Sequence, residues 1–143
     1  MGSDFPCCDE MTHHEPEDGF IPFVTVLKFD YPRPPITANK SYHWREKARL
    51  TKDIRHATAL LAHRIPPLGK CRVSLVWVVT DGRRRDGGEN VTPTLKPMID
   101  GLVDAGVVLD DTPDLVTRDM PFIQRINKEE GVAHMQLRIE KIR

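Results

Sequence analysis

The chain has 143 residues, 39% of them apolar and 29% charged, a composition that supports one folded domain with its own core. No stretch approaches the ~18 apolar residues of a membrane helix, which excludes a helical membrane span. The formal net charge is zero, yet the charges are segregated along the chain. Residues 1–20 hold Asp4, Asp9, Glu10, Glu15, Glu17 and Asp18 and no Lys or Arg. Residues 31–72 hold ten basic side chains against Glu46 and Asp53, and residues 81–119 hold nine acids. Asymmetry of this kind points to a polyanionic partner.

The opening MGSDFPCCDE has no basic start and no apolar run, so no secretory signal is expected and a cytoplasmic location is. The three cysteines, Cys7, Cys8 and Cys71, make no disulfide framework and fit a reducing compartment. Cys7, Cys8, His13 and His14 invite a zinc reading, but the second half of a zinc motif is missing. Residues 1–20, acidic and poor in aliphatics, are expected to form a disordered leader ahead of one domain over residues 21–143.

Residues 23–29 (FVTVLKF) are β-branched and aromatic and predict a first strand. Pro32, Pro34 and Pro35 then hold an extended connection. Ser41 is the expected cap of a helix running to about residue 63, with Trp44, Ala48, Ile54, Ala57 and Leu61 as its apolar stripe. Residues 71–80 (CRVSLVWVVT) are a near-continuous apolar run and predict a central strand buried on both faces. Both Trp44 and Trp77 are expected in the core. After the loop DGRRRDGGEN, Thr92 caps a helical turn, and Pro97 kinks it or starts a second helix. Ile99, Leu102, Val103 and Gly106 are expected on one face of that segment. Residues 115–126 and 132–140 look like a hairpin around NKEEG, with Pro121 marking the first arm as an edge or bulge. The order β-α-β-α-β-β predicts an α+β fold, a single mixed β-sheet with helices packed on it.

Asp86, Glu89, Asp110 and Asp111 bracket the second helical segment. Clustered carboxylates repel unless a cation sits among them, and hard oxygen donors select Mg²⁺ or Mn²⁺. The bland alternative is that such acids are solvated or cap helices. Arg83, Arg84 and Arg85 precede Asp86 directly, an arrangement suited to phosphate or simply a charged loop. Lys96 either stabilises charge beside a metal site or pairs with Asp100 one turn on. A solvated helix face accounts for Asp100 and Asp104.

The stretch RRRDGGENVTPTLKPMIDGLVDAGVVLDD resembles the RusA-type Holliday-junction resolvases. Their pattern is a basic pair, Asp-x-Asp-Asn, a Lys four residues before an Asp in a following helix, and a hydrophobic strand closing on Asp-Asp. Here these become Arg84-Arg85, Asp86, Glu89-Asn90, Lys96, Asp100 and Asp110-Asp111. The segment from Asn39 to Arg45 (NKSYHWR) is similar to the start of the family's first helix, and the resemblance covers roughly residues 24–140. One departure stands out: Asp86-Gly87-Gly88-Glu89 inserts a residue and puts Glu where the second Asp belongs. On an extended backbone residues i and i+2 face the same way, so a glycine bulge would be needed to restore the facing.

The resemblance implies a RusA-like, two-fold dimeric, Mg²⁺-dependent (or Mn²⁺-dependent) endonuclease that resolves four-way DNA junctions in recombination and repair. It implies Asp86, Glu89, Lys96 and Asp111 as catalytic, with Asp86, Glu89, Asp110 and Asp111 holding metal and Asn90 and Asp100 supporting them. Arg45, Arg49, Lys52, Arg84 and Arg85 would hold the phosphate backbone without reading sequence. Two alternatives stay open: a catalytically silent branched-DNA-binding protein on the same scaffold, and a nuclease for flaps or other branched DNA.

Overall fold

The structure is a computed structural model that describes residues 19–85 and 87–143. The expected acidic leader up to residue 18, with Cys7, Cys8, His13 and His14, lies outside the described residues, as does Asp86. The elements in order are β1 (Val24–Phe29), α1 (Trp44–Leu61), β2 (Cys71–Val79), a 3-10 turn (Gly88–Val91), α2 (Thr92–Asp104), β3 (Val116–Arg118), β4 (Phe122–Arg125), a second 3-10 turn (Lys128–Glu130) and β5 (His134–Lys141). The fold is α+β, one mixed open sheet with two helices among the described residues, in agreement with the expected class.

The apolar run of β2 takes the central place the sequence predicts. β5 pairs antiparallel along one edge of it, from Cys71 to Val78. The other edge carries β3 against Cys71–Val73 and then β4 against Val76–Val79, both parallel. β1 closes the far side by pairing antiparallel with β5. One face of the sheet brings Leu27, Phe29, Leu75, Val73, Leu137 and Ile139 into the core with Ile54, Met98, Ile99 and Leu102 of the helices. Val76 and Val78 are buried on the opposite face.

Several expectations need correction. The predicted hairpin does not form: β4 and β5 lie on opposite edges of β2, so the chain crosses over β2 instead of turning back beside itself. Pro121 does mark an edge, because it sits in the break between β3 and β4, where a residue without an N–H costs no ladder bond. The hydrophobic strand that the resemblance implies before Asp110-Asp111 is absent: in residues 107–109 Val107 and Val108 are buried in a bend, while Leu109 is 90% exposed.

The cap of α1 is His43, not Ser41; its ring nitrogen accepts from the Arg45 N–H. The buried side of α1 carries Ile54 and Thr58, with Leu50 and Ala57 partly buried. Trp44 is not core but 69% exposed. With about 100° per residue, Trp44 stands roughly 80° and Ala48 roughly 120° from Ile54, too far round to share its stripe. α2 runs unbroken through Pro97, whose missing N–H would have met the carbonyl of Pro93, itself at the helix start. Gly106 is not on the apolar face. It ends α2 at φ +81°, while its N–H donates to Val103 O and that of Val107 to Leu102 O, each at 3.0 Å.

The helices meet at Gly101. A Cβ there would lie 2.6 Å from the Arg55 carbonyl oxygen and 2.6 Å from Thr58 Cβ. The contact is locked by Arg55, whose Nε and Nη2 donate to the two carboxylate oxygens of Asp104 at 2.6 and 2.8 Å. Gly101→Val, which gains little in helix propensity, is expected to destabilise the protein by about 3 kcal/mol through overpacking. Urea unfolding measures this, and an unchanged midpoint would contradict the close crossing.

Candidate functional site

The turn at Gly106 sends the chain back along α2. Val107 is tied down by the Leu68 N–H donating to its carbonyl at 2.9 Å. The return delivers Asp110 and Asp111 to Lys96, fifteen residues earlier on α2. The Lys96 ammonium donates to Asp100 Oδ1 at 2.7 Å and also to Asp111 Oδ2. Asp110 Oδ1 accepts the Asp111 N–H at 2.8 Å, and Arg118 donates to the Asp111 carbonyl. Lys96, Asp100, Asp110 and Asp111 therefore form one cluster. Asp100 and Asp104 are not a plain solvated face, since each holds a cation. Arg118 had no place in the sequence reading; its only signal was a lone cation after a run of acids.

The two ends of this cluster polarise each other. Hydrogen bonds to Asp100 and then Asp111 raise the Lys96 pKa above its ordinary value. The hydrogen bond from Lys96, with its charge, holds the Asp111 carboxyl below the usual carboxylate range.

Glu89 and Asn90 are placed differently from the expectation. They lie in the 3-10 turn Gly88–Val91, so Glu89 is carried on a helical turn and not on an extended strand. Gly88 is demanded by packing: a Cβ there would sit 1.5 Å from the Pro121 carbonyl oxygen. The Asn90 carbonyl accepts from the Ala38 N–H at 3.1 Å, which ties the turn to the proline-rich connection. Glu89 is exposed and makes no ion pair with Lys96. Among the described residues no three acids, histidines or cysteines gather closely enough to hold a metal.

The expected basic residues fall in two places. On α1, the Arg45 guanidinium lies 5.1 Å over the exposed Trp44 ring, and Arg49 pairs with Asp53 at 3.5 Å. Lys52 borders a shallow groove beside the same Trp44. After β2, Arg85 pairs with Asp81 at 2.9 Å and stacks 4.8 Å over Trp77, which is half-buried. That hydrogen bond, with one from the Arg83 N–H, lowers the Asp81 pKa to about 2. Arg84 is exposed and lines a cavity with Arg33 and Lys40, two cations the sequence reading counted only as part of a basic segment.

No protein-family model matches the chain, and no curated protein sequence matches it.

Two outcomes follow from this geometry. Gly88→Ala is expected to destabilise the protein by about 1–3 kcal/mol, because backbone must move to admit the methyl group. Thermal unfolding checks it, and an unchanged melting temperature would refute the contact with Pro121. Lys96→Met should let the Asp111 carboxyl titrate nearer the ordinary range. A depressed carboxylate pKa contributes stability above the unfolded value and loses it as pH falls through the folded one. Removing Lys96 should therefore move the acid onset of Asp111 titration to higher pH, followed by NMR of the carboxyl carbon in metal-free protein.

Proposed function

We propose that this chain is a metal-dependent, structure-selective endonuclease acting on four-way DNA junctions, of the RusA type that its motif resembles. The observation that carries the reading is the meeting of Lys96 with Asp111, beside Asp110 and Asp100. Four residues of the motif, on α2 and just after it, come together at one place, while Glu89 and Asn90 sit in the turn before α2, and cationic groups line the preceding loop.

The donor type, carboxylate oxygen, is the one a small hard cation takes, and the Lys96 ammonium is already held between two such groups; the described acids do not converge on one point, so a metal would have to draw them together. Asp111, Asp110, Glu89 and Asp86 would hold Mg²⁺ or Mn²⁺, which supplies Lewis-acid polarisation of the phosphate and an activated water. Asp100 orients the Lys96 ammonium, which stabilises charge developing on the phosphate. Asn90 fixes the turn that carries Glu89. Arg84 binds phosphate, and Arg45, Arg49 and Lys52 of α1 hold the backbone away from the cut. A two-fold dimer would present two such sites to the two strands that a symmetric junction must have cut.

A catalytically silent branched-DNA-binding protein is the second reading. The ion pair favours it, because Lys96 already neutralises the Asp111 carboxylate.

Incubating the protein with a synthetic four-way junction and Mg²⁺, beside flap and duplex controls, tests the proposal. Junction cleavage that Asp111→Asn abolishes, with folding and junction binding retained, is expected. Full cleavage by Asp111→Asn would remove the metal assignment, and binding without cleavage by the natural chain would leave the silent scaffold. Neutralising Arg45, Arg49 and Lys52 together should lower the salt dependence of binding, by about 0.9 in the log–log slope for each duplex phosphate that these residues neutralise. An unchanged slope would mean that α1 faces away from DNA.

A further inference from the structure

The cavity beside Arg84 has a volume of about 530 Å³ and lies between the proline-rich connection after β1 and the arginine loop after β2. Among the described residues, the charged side chains that line it are Arg33, Lys40, Arg84 and Arg85, all of them cationic. Arg85 is committed to Asp81 and to the Trp77 ring. Arg33, Lys40 and Arg84 form no salt bridge among the described residues. Three cations thus face a common space with no acidic partner among the described residues, Lys40 lying 4.9 Å over the Tyr42 ring, and such a space favours an anionic ligand.

The walls are aromatic as well as basic, and they are fixed. Trp77 donates from Nε1 to the Pro32 carbonyl at 2.9 Å. The Tyr42 hydroxyl accepts from the Thr37 N–H at 3.0 Å and donates to the Pro35 carbonyl at 3.3 Å. The buried Thr94 hydroxyl donates to the Ile36 carbonyl at 2.7 Å and accepts its N–H at 3.2 Å, which pins the connection to α2. Walls held this way leave little ordering to be done on binding. The volume falls within the ~300–1,000 Å³ typical of cavities that enclose a small organic ligand, far more than a lone phosphate fills.

We propose that this cavity takes one unpaired nucleotide of a DNA strand, base and phosphate together. The inference rests on the proposed action on DNA and adds to it which part of a branched substrate is recognised. Paired bases are hidden in the duplex stack, so only an unpaired or extruded base can enter a pocket. Inside, the base meets the Arg85 guanidinium plane, itself stacked 4.8 Å over the Trp77 ring, a surface on which any base stacks, while Arg33, Arg84 and Lys40, which lies 4.9 Å over the Tyr42 ring, meet the phosphate. Such a pocket selects for single-stranded character and not for sequence, and would recognise a branch point where a base is unpaired or extruded.

The test uses the full chain carrying Trp44→Phe, which leaves Trp77 as the sole tryptophan of the two. It is titrated in the absence of divalent metal with an eight-nucleotide oligothymidylate, a duplex of the same length, and inorganic phosphate. The expected result is saturable change in Trp77 fluorescence by the single strand at a concentration at least tenfold below that needed for the duplex. Arg33→Ala with Lys40→Ala should weaken the single-strand response at least tenfold at an unchanged melting temperature, and Arg84→Ala should weaken it independently. Equal affinity for the duplex, the same response from phosphate alone, or a variant that binds as the parent does would each overturn the pocket. Junction cleavage by the natural chain with Mg²⁺ is scored separately. Cleavage without a single-strand response sinks the pocket alone; a single-strand response without cleavage sinks the nuclease and leaves the pocket standing.

Discussion

Everything in this molecule is positioned from a strand that has partners on both edges and burial on both faces. β2 pairs with β5 over nearly its whole length and with β3 and β4 in turn on the opposite side. Such a strand must be apolar on both faces, and Val73, Leu75, Val76 and Val78 make it so. Because β2 cannot slip without exposing one of those faces, its far end is a fixed platform. From that end come Trp77, the arginine loop and the 3-10 turn that starts α2. The carboxylate cluster and the cationic cavity are held by the same strand, one through α2 and the other directly.

Two close backbone approaches convert this platform into a defined arrangement. Gly101 lets α1 and α2 touch main chain to side chain, and Gly88 lets the turn before α2 rest on the Pro121 carbonyl. The second explains the doubled glycine in physical terms. The doubled glycine is where another segment of chain passes, at the break in the sheet edge that Pro121 itself creates. Gly88 is thus part of how the edge and the turn fit together, and Glu89 is carried on a helical turn beside it.

What the sequence showed plainly was whatever local chemistry determines. The run CRVSLVWVV declares its own burial and Pro121 an edge; a helical segment after Thr92 was legible too, but not that it runs unbroken through Pro97. Strand pairing was not legible in the same way. β4 and β5 run antiparallel to each other whether they pair directly or flank β2, so their residues look the same in either case. Only the sum of long-range interactions chooses between the two. Trp44 misled because hydrophobicity was weighed ahead of phase; its position relative to Ile54 already placed it off the buried stripe. The motif's order of Lys96, Asp100 and Asp111 was readable, whereas their meeting depended on the reversal at Gly106, whose role as a helix terminator was missed.

The zero net charge of the chain conceals how its charges are used. Exposed ion pairs contribute little stability, about 0–1 kcal/mol each, so their effect lies elsewhere. Arg55 with Asp104, Arg72 with Asp119, Arg85 with Asp81 and Lys96 with Asp100 and Asp111 consume acids of the segment 81–119. Each acid so engaged is one that cannot screen a neighbouring cation. The pairing neutralises charge along α2 and the chain around it and, of the described residues lining the cavity, leaves Arg33, Lys40 and Arg84 to set its potential. A chain with no overall charge thereby presents a strongly cationic recess, and the field an incoming phosphate meets is fixed by which charges remain unpaired rather than by their total.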